Sequence, residues 1–191
     1  MNMANNNYQN DEKQQDVAVT DFVKSCFEWV DSLVLSLIIM VLLFTFGFRY
    51  LTVNGQSMEN TLFDGEKLIG RVFAYKPKNG DIVAVGPFPA LNDHVIIKRV
   101  IATEGQTLDI NFDTGEITVD GVVLDEPYIK EITRLREGGE IPKVIPKDFI
   151  FVMGDNRNNS TDSRSLSVGA FHKDKVIAKA FFSINRLKKI Y

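Results

Sequence analysis

One stretch limits this chain before anything else does. Residues 32–48 hold no charged side chain and are almost wholly apolar around Leu33-Val34-Leu35-Ser36-Leu37-Ile38-Ile39-Met40-Val41-Leu42-Leu43-Phe44. A helix crossing a hydrocarbon core needs roughly 17–25 such residues. Trp29 and Tyr50 flank the run, where interfacial aromatics are common. A buried core helix rarely needs this length. A cleavable signal peptide would carry basic residues ahead of the run and a small-x-small site after it. Here the preceding stretch is acidic and no such site follows, so the run reads as an uncleaved anchor.

Charge divides unevenly on either side. Residues 1–31 carry six acids and two bases, whereas the remainder carries 19 acids and 20 bases. That balance does not make a basic nucleic-acid surface. Lys13 and Lys24 precede the run and Arg49 follows it, so the positive-inside rule leaves the orientation open. The only cysteine is Cys26, which rules out an internal disulfide. With two histidines, His94 and His172, a zinc centre finds too few ligands. The Asn- and Gln-rich residues 1–16 read as disordered, and 21–31 as a short helix leading to the membrane. The expected division is a tail at 1–30, a span at 31–50 and a main domain at 51–191.

Beyond the run the punctuation is that of a β protein. Strands are expected at 66–73, 81–85, 95–102, 107–112, 116–119, 148–153 and 176–184, from Val/Ile content and alternation. Asp113-Thr114-Gly115 signals a hairpin, and Pro87 and Pro89 are expected to break the chain. Residues 125–147 read as irregular. The fold class is therefore mainly β: an N-terminal transmembrane helix followed by a β-rich, partly closed barrel-like domain.

Chemistry concentrates at three places. Ser57 sits in Val53-Asn54-Gly55-Gln56-Ser57-Met58-Glu59, just past the apolar run. A serine hydroxyl is a weak nucleophile unless a base removes its proton. Neither Gly-x-Ser-x-Gly nor Ser-x-x-Lys fits here, since Glu59 and Asn60 occupy the deciding positions. Alone, Ser57 could be an ordinary turn residue. Lys98 lies in Val95-Ile96-Ile97-Lys98-Arg99-Val100-Ile101, where alternation places it on one face and Arg99 on the other. An edge strand could carry both cations into water. A desolvated lysine would instead lose its charge more readily and could act as a base. His94 beside Asp93 is no triad by adjacency alone. The polar stretch Gly154-Asp155-Asn156-Arg157-Asn158-Asn159-Ser160-Thr161-Asp162-Ser163-Arg164 fails the EF-hand pattern, and its glycosylation sequons are short enough to arise by chance.

Together, Ser57-Met58 after an anchor, Gly80-Asp81-Ile82-Val83, Ile97-Lys98-Arg99-Val100 and Gly154 through Arg164 resemble the bacterial type I signal peptidases, in the family's own order. The likeness runs from the apolar run to about Ala180, and its last motif is very specific. It implies a Ser-Lys peptidase with Ser57 as nucleophile and Lys98 as general base. Ser160 corresponds to the serine that orients the lysine. Asp162 and Arg164 match a buried pair that supports the site together with Asp155, Asn156 and Arg157. Gly55, Ser57 and Met58 fall where the oxyanion and substrate are held. No metal or other cofactor is implied. The substrates would be preproteins with small residues before the cut, met at a lipid bilayer near the export machinery, with no nucleic acid. The tail would be cytoplasmic and the catalytic domain outside the cell membrane. The short stretch at about 110–146 would be a small inserted β subdomain of the Gram-positive type.

Departures are Asn60 for a usual proline, Gly55 for an occasional serine, and Phe171-His172 for Val-Pro. The rival readings are a self-cleaving repressor-type Ser-Lys peptidase and a non-catalytic membrane-anchored β-domain. The anchor and acidic tail argue against the first. The joint presence of Ser57, Lys98, Ser160, Asp162 and Arg164 argues against the second.

Overall fold

The computed structural model describes residues 3–73 and 75–190, with side chains described from Val23 onward. The chain divides into two compact units, 1–45 and 46–191.

The first unit is one helix, α1, Met3–Leu42, which widens into a π-type turn at Leu43–Gly47. No glycine or proline occurs before Gly47, so nothing in the sequence interrupts the helix. It takes in backbone expected to be disordered, and the short helix expected at 21–31 is part of it. Residues Val23–Gly47 make a stretch long and apolar enough to cross a membrane, and none of it is buried. Two of its hydroxyls bond within the helix: Ser32 donates to the Glu28 carbonyl at 2.9 Å and Ser36 to that of Ser32 at 2.8 Å.

The second unit is built from antiparallel strands. In chain order they are β1 Phe48–Thr52, β2 Lys67–Arg71, β3 Ile82–Phe88, β4 His94–Thr103, β5 Leu108–Ile110, β6 Ile117–Val119, β7 Val122–Val123, β8 Phe149–Met153, β9 Phe171–His172, β10 Val176–Ser183 and β11 Lys188–Lys189. The larger sheet runs β1-β2-β10-β3-β4-β8-β9, with β11 paired to β10. Its pairing path is open at β1 and β9. The expected partial barrel closure is therefore not seen among the described strands. Phe48 to Tyr50, placed in the span by composition, are strand, paired with Arg71, Gly70 and Ile69. The backbone carbonyls and amides after the helix are thus taken up by a sheet ladder. Pro87 does not end β3: pairing resumes at Phe88 opposite His94 after a register shift.

A smaller sheet, β5-β6-β7, forms around the expected hairpin. The Asn111 side-chain oxygen accepts from the Asp113 and Thr114 amides, and Gly115 takes the left-handed φ of 84° that closes the turn. Its inner residues Leu108, Ile110, Ile117 and Val119 pack with Ile101 of β4 and Phe151 and Met153 of β8. Val100 packs on the other face with Val83, Val85, Ile150, Val152 and Phe171, so β4 is covered on both faces and six consecutive residues from Ile97 to Ala102 are buried. That double cover is what encloses a lysine at its centre.

Ile101→Ala should cost about 2–5 kcal/mol of stability, by lost burial plus a cavity. Val123→Ala, at an exposed site, should stay within about 0.5 kcal/mol. Urea denaturation of the two variants checks the placement of the second core.

Candidate active site

The loop carrying Ser57 is closed at its base by Val53 N–H to the Glu66 carbonyl and Gly65 N–H to the Val53 carbonyl, at 2.9 and 2.8 Å. At Gly55, φ is 84°, a left-handed value that glycine adopts without strain. Past it the chain makes one helical turn, with Thr61 and Leu62 amides both on the Met58 carbonyl. Met58 and Leu62 are fully buried and fix the turn to the core. The Met58 side chain is therefore packing and does not face a substrate, which corrects the binding role given to it from sequence. The Gly55 amide is likewise engaged, donating to Asp64 Oδ1 at 2.6 Å. No described residue accepts from the Ser57 amide.

The loop is pinned from behind by the 154–164 stretch. Asn156 donates from its amide to the Ser57 carbonyl at 3.0 Å and from its side chain to the Gln56 carbonyl at 3.1 Å. Gly154 leaves no room for a side chain. A Cβ there would lie 2.2 Å from Ser160 Oγ and 2.4 Å from the Ser57 carbonyl oxygen. Asn60, standing where the resemblance led one to look for proline, donates to the Ile129 carbonyl at 3.1 Å. A cross-link there replaces a stiff ring as the restraint on this turn.

Lys98 comes from the middle of β4, opposite Val83 of β3, and is 3% exposed. Its Nζ lies 2.5 Å from Ser57 Oγ in hydrogen-bond contact. Burial pulls its pKa from 10.5 down to about 8, against the opposing fields of Asp162, Glu137 and Asp155. Desolvation wins because the charged form loses more solvation than those carboxylates return. His94, four residues earlier on β4, is exposed and roughly 13 Å up the strand by its rise. It cannot serve Ser57.

Three buried guanidinium–carboxylate pairs surround the two residues. Arg164 grips Asp162 through Nε at 2.9 Å and Nη2 at 2.8 Å, with both side chains fully buried. Arg99 grips Asp155 at 2.9 and 2.7 Å, donates to the Gly80 carbonyl and stacks on the Tyr128 ring at 3.9 Å. Arg157 grips Glu126 at 2.8 and 2.6 Å and bonds Thr133 and the Gly154 carbonyl. Two-pronged pairs of this kind fix orientation as well as charge. Asp162 also accepts from the Gly154 amide at 2.9 Å and from Ser160 Oγ at 2.7 Å. Ser160 thus gives its proton to Asp162. No described bond joins it to Lys98, the partner expected from sequence.

Of the residues singled out from sequence, Ser57, Lys98, Ser160, Asp155, Asn156, Arg157, Asp162 and Arg164 converge here, as does the Gly55 backbone. Glu126, Glu137 and the pairing role of Arg99 were missed. Glu137 approaches Arg164 at 3.9 Å, and burial pushes its carboxyl upward. A signal for Glu126 did exist. Arg157 and Arg164 in one short apolar-flanked stretch, with Arg99 in a buried strand, demand three acids, and Asp155 and Asp162 supply only two.

A family model described as "Signal peptidase, peptidase S26" matches residues 26–185. The chain belongs to this family. It is 33% identical over 174 residues to Signal peptidase I P of Bacillus subtilis subsp. natto, covering 84% of this chain and 91% of that one. It is 31% identical over 177 residues to Signal peptidase IB of Staphylococcus aureus (strain Mu50 / ATCC 700699), covering 83% and 89%. A crystal structure of a signal peptidase I from Enterococcus faecalis V583 covers 55% of this chain and 97% of its own, at 28% identity and a TM-score of 0.45. Membership makes this chain a serine peptidase, a hydrolase, with Gram-positive relatives.

Asp162→Asn or Arg164→Ala should cost about 3–5 kcal/mol, because each strands a buried charge. Melting temperature and activity should fall together; unchanged stability with lost activity would put these residues in the chemical step. Lys98 carries a stability sign of its own. Between about pH 8 and its ordinary 10.5 the unfolded chain holds the proton that the folded chain has lost, so stability rises with pH across that window. Below about pH 8 both states are protonated and the burial penalty stands in full. Lys98→Met should therefore raise the melting temperature most below pH 8, with the gain shrinking toward pH 10.5.

Proposed function

We propose that this chain is a membrane-anchored endopeptidase that removes N-terminal signal peptides from exported preproteins, with Ser57 as nucleophile and Lys98 as general base. The observation that carries the reading is a lysine 3% exposed with its Nζ 2.5 Å from a partly exposed serine Oγ. With a pKa of about 8, Lys98 is neutral about 300-fold more often near neutral pH than at 10.5. Neutral Nζ accepts the Ser57 proton as Oγ attacks the scissile carbonyl carbon. The developing oxyanion meets the Ser57 amide. As the intermediate collapses, the C–N bond breaks and the ammonium of Lys98 returns its proton to the leaving amine. The ester left on Ser57 is hydrolysed when Lys98 takes a proton from water, the hydroxide adds to the acyl carbon, and the C–Oγ bond breaks as the Lys98 ammonium returns the proton to Ser57. Ser160 keeps lone pairs able to accept from the ammonium while Asp162 holds its hydroxyl, which suits an orienting role. Residues 23–47 are the anchor, with the peptidase unit outside the cell membrane and the N-terminus in the cytoplasm. Sharing one membrane plane raises the effective concentration of enzyme and substrate. The names of the relatives point to preproteins as substrates, with export machinery nearby.

Purified full-length protein in detergent should cut a preprotein at one site, mapped by the new N-terminus. Its kcat/KM should rise from acid pH with a limb near 8, as Lys98 loses its proton. Lys98→Arg keeps a charge that does not deprotonate usefully, so cleavage should vanish with the fold intact. A folded, active Lys98→Arg enzyme would exclude the dyad. Protease added to intact protoplasts should digest the main unit and spare the tail; the reverse pattern would overturn the topology.

A further inference from the structure

The buried charges around Ser57 do not balance without Lys98. Among the described residues, three guanidiniums there, Arg99, Arg157 and Arg164, face four carboxylates, Asp155, Glu126, Asp162 and Glu137. Arg99 is committed to Asp155, Arg157 to Glu126 and Arg164 to Asp162, each through two nitrogens. Glu137 is the fourth acid. Its side chain is 13% exposed, and the guanidinium nitrogen it approaches, Arg164 Nη2 at 3.9 Å, already bonds Asp162 at 2.8 Å. A carboxylate so enclosed is costly unless a cation answers it. The remaining cation of the cluster is Lys98, once it carries a proton.

Backbone contacts on both sides of Glu137 hold it in place. The Leu135 carbonyl accepts from Arg164 Nη1 at 3.3 Å, and the Gly139 amide donates to the Arg164 carbonyl at 2.7 Å. Gly138 forms a β-bridge with Ser165. A Cβ on Gly139 would lie 2.5 Å from the Arg164 carbonyl oxygen, and Gly138 has a φ of 77°, so this close approach needs both glycines. Upstream, the Arg134 and Leu135 amides share Asn158 Oδ1 at 3.0 Å. Arg136, next to Glu137 in sequence, stacks on the Phe112 ring at 4.6 Å. The charges acting on Glu137 are therefore few. Burial, then Asp162, raise its carboxyl, while Arg164, the Asp162 amide and Lys98 pull it down. Lys98 is lowered by burial and by Arg164, and raised by Asp162, then Glu137, then Asp155.

We infer that Glu137 is a positioning residue for Lys98: its carboxylate is the counter-ion of the ammonium that forms when Lys98 takes the Ser57 proton. With Lys98 neutral, the group of Asp162, Arg164, Glu137 and Lys98 carries one net negative charge. With Lys98 protonated it carries none. Proton transfer from Ser57 Oγ to Nζ thus completes a buried ion cluster, where an unbalanced charge would be costly. This role rests on the reading of Ser57 and Lys98 as a dyad.

Glu137→Gln keeps the size of the side chain and removes its charge. The ammonium loses a stabilising field, so the acid limb of kcat/KM should move from near 8 to about one pH unit lower, the low end for a nearby opposite charge. One pH unit is a factor of about ten in the ammonium's stability, so the alkaline plateau should fall about tenfold. The two effects cancel below both limbs. Variant and wild type should therefore converge at acid pH and part as pH rises, with the loss in kcat and little change in KM. Glu137→Asp keeps the charge and should keep its limb near 8. A merely structural role would scale the whole profile down by one factor with the limb unmoved, and that result would overturn the counter-ion. A reciprocal measurement does not need Glu137→Gln to fold. In glutamate-labelled protein followed by carbon-13 NMR, with Glu137 assigned through Glu137→Asp, its carboxyl should titrate at higher pH in Lys98→Met than in wild type, since the ammonium that pulls it down is gone. Equal midpoints would overturn the pairing. A folded, active Lys98→Arg enzyme would sink the dyad itself. An inactive one, with an unmoved limb in Glu137→Gln, would sink only the role of Glu137.

Discussion

A lysine buried at the centre of a strand covered on both faces cannot keep its charge cheaply. Everything around Ser57 follows from that constraint on Lys98. β4 is covered on one face by the smaller sheet's core and residues of the Ser57 loop, and on the other by Val83, Val85, Ile150, Val152 and Phe171, so the amine has little water to solvate it. Burial alone would drive its pKa lower still. The carboxylates of Asp162, Glu137 and Asp155 hold it back to about 8. The site is a balance between desolvation, which makes a base available, and fields that keep the ammonium tolerable once it has taken a proton.

Those carboxylates are themselves buried and would be costly without partners. Each of Asp155 and Asp162 is met by a guanidinium in a two-pronged pair, and the third pair draws in Glu126 from a distant loop. Replacing such pairs by apolar residues is often no loss of stability, so their worth here is geometric. They position irregular chain, residues 125–137 and 154–164, with the accuracy a strand would give. Asn156 then holds the Ser57 carbonyl and Gly154 allows the two segments to touch.

Local pattern made much of this legible. Val/Ile-rich β4, β8 and β10 announce themselves by composition, and the β5–β6 hairpin by its Asp-Thr-Gly turn. Asp162 and Arg164 lie two apart, close enough in sequence to be read as a pair. What stayed hidden depends on partners far along the chain. Arg157 to Glu126 and Arg99 to Asp155 cross 31 and 56 positions. Phe48 reads as membrane from its neighbours, yet its strand exists only because β2 pairs with it. The proton of Ser160 goes to Asp162 because that carboxylate gathers every nearby donor, which no motif spacing conveys. Met58, adjacent to the nucleophile, looked like a substrate contact; only the packing around Val53 and Leu62 reveals it as core.

Proton transfer at Ser57 turns on the protonation state of one amine. Nitrogen-15 NMR of lysine-labelled full-length protein in micelles, with Lys98 assigned by its loss in Lys98→Met, would follow that titration directly. The expected result is a midpoint near 8 that is abolished on denaturation. A Lys98 amine titrating at its ordinary 10.5 in a folded, active enzyme would contradict it.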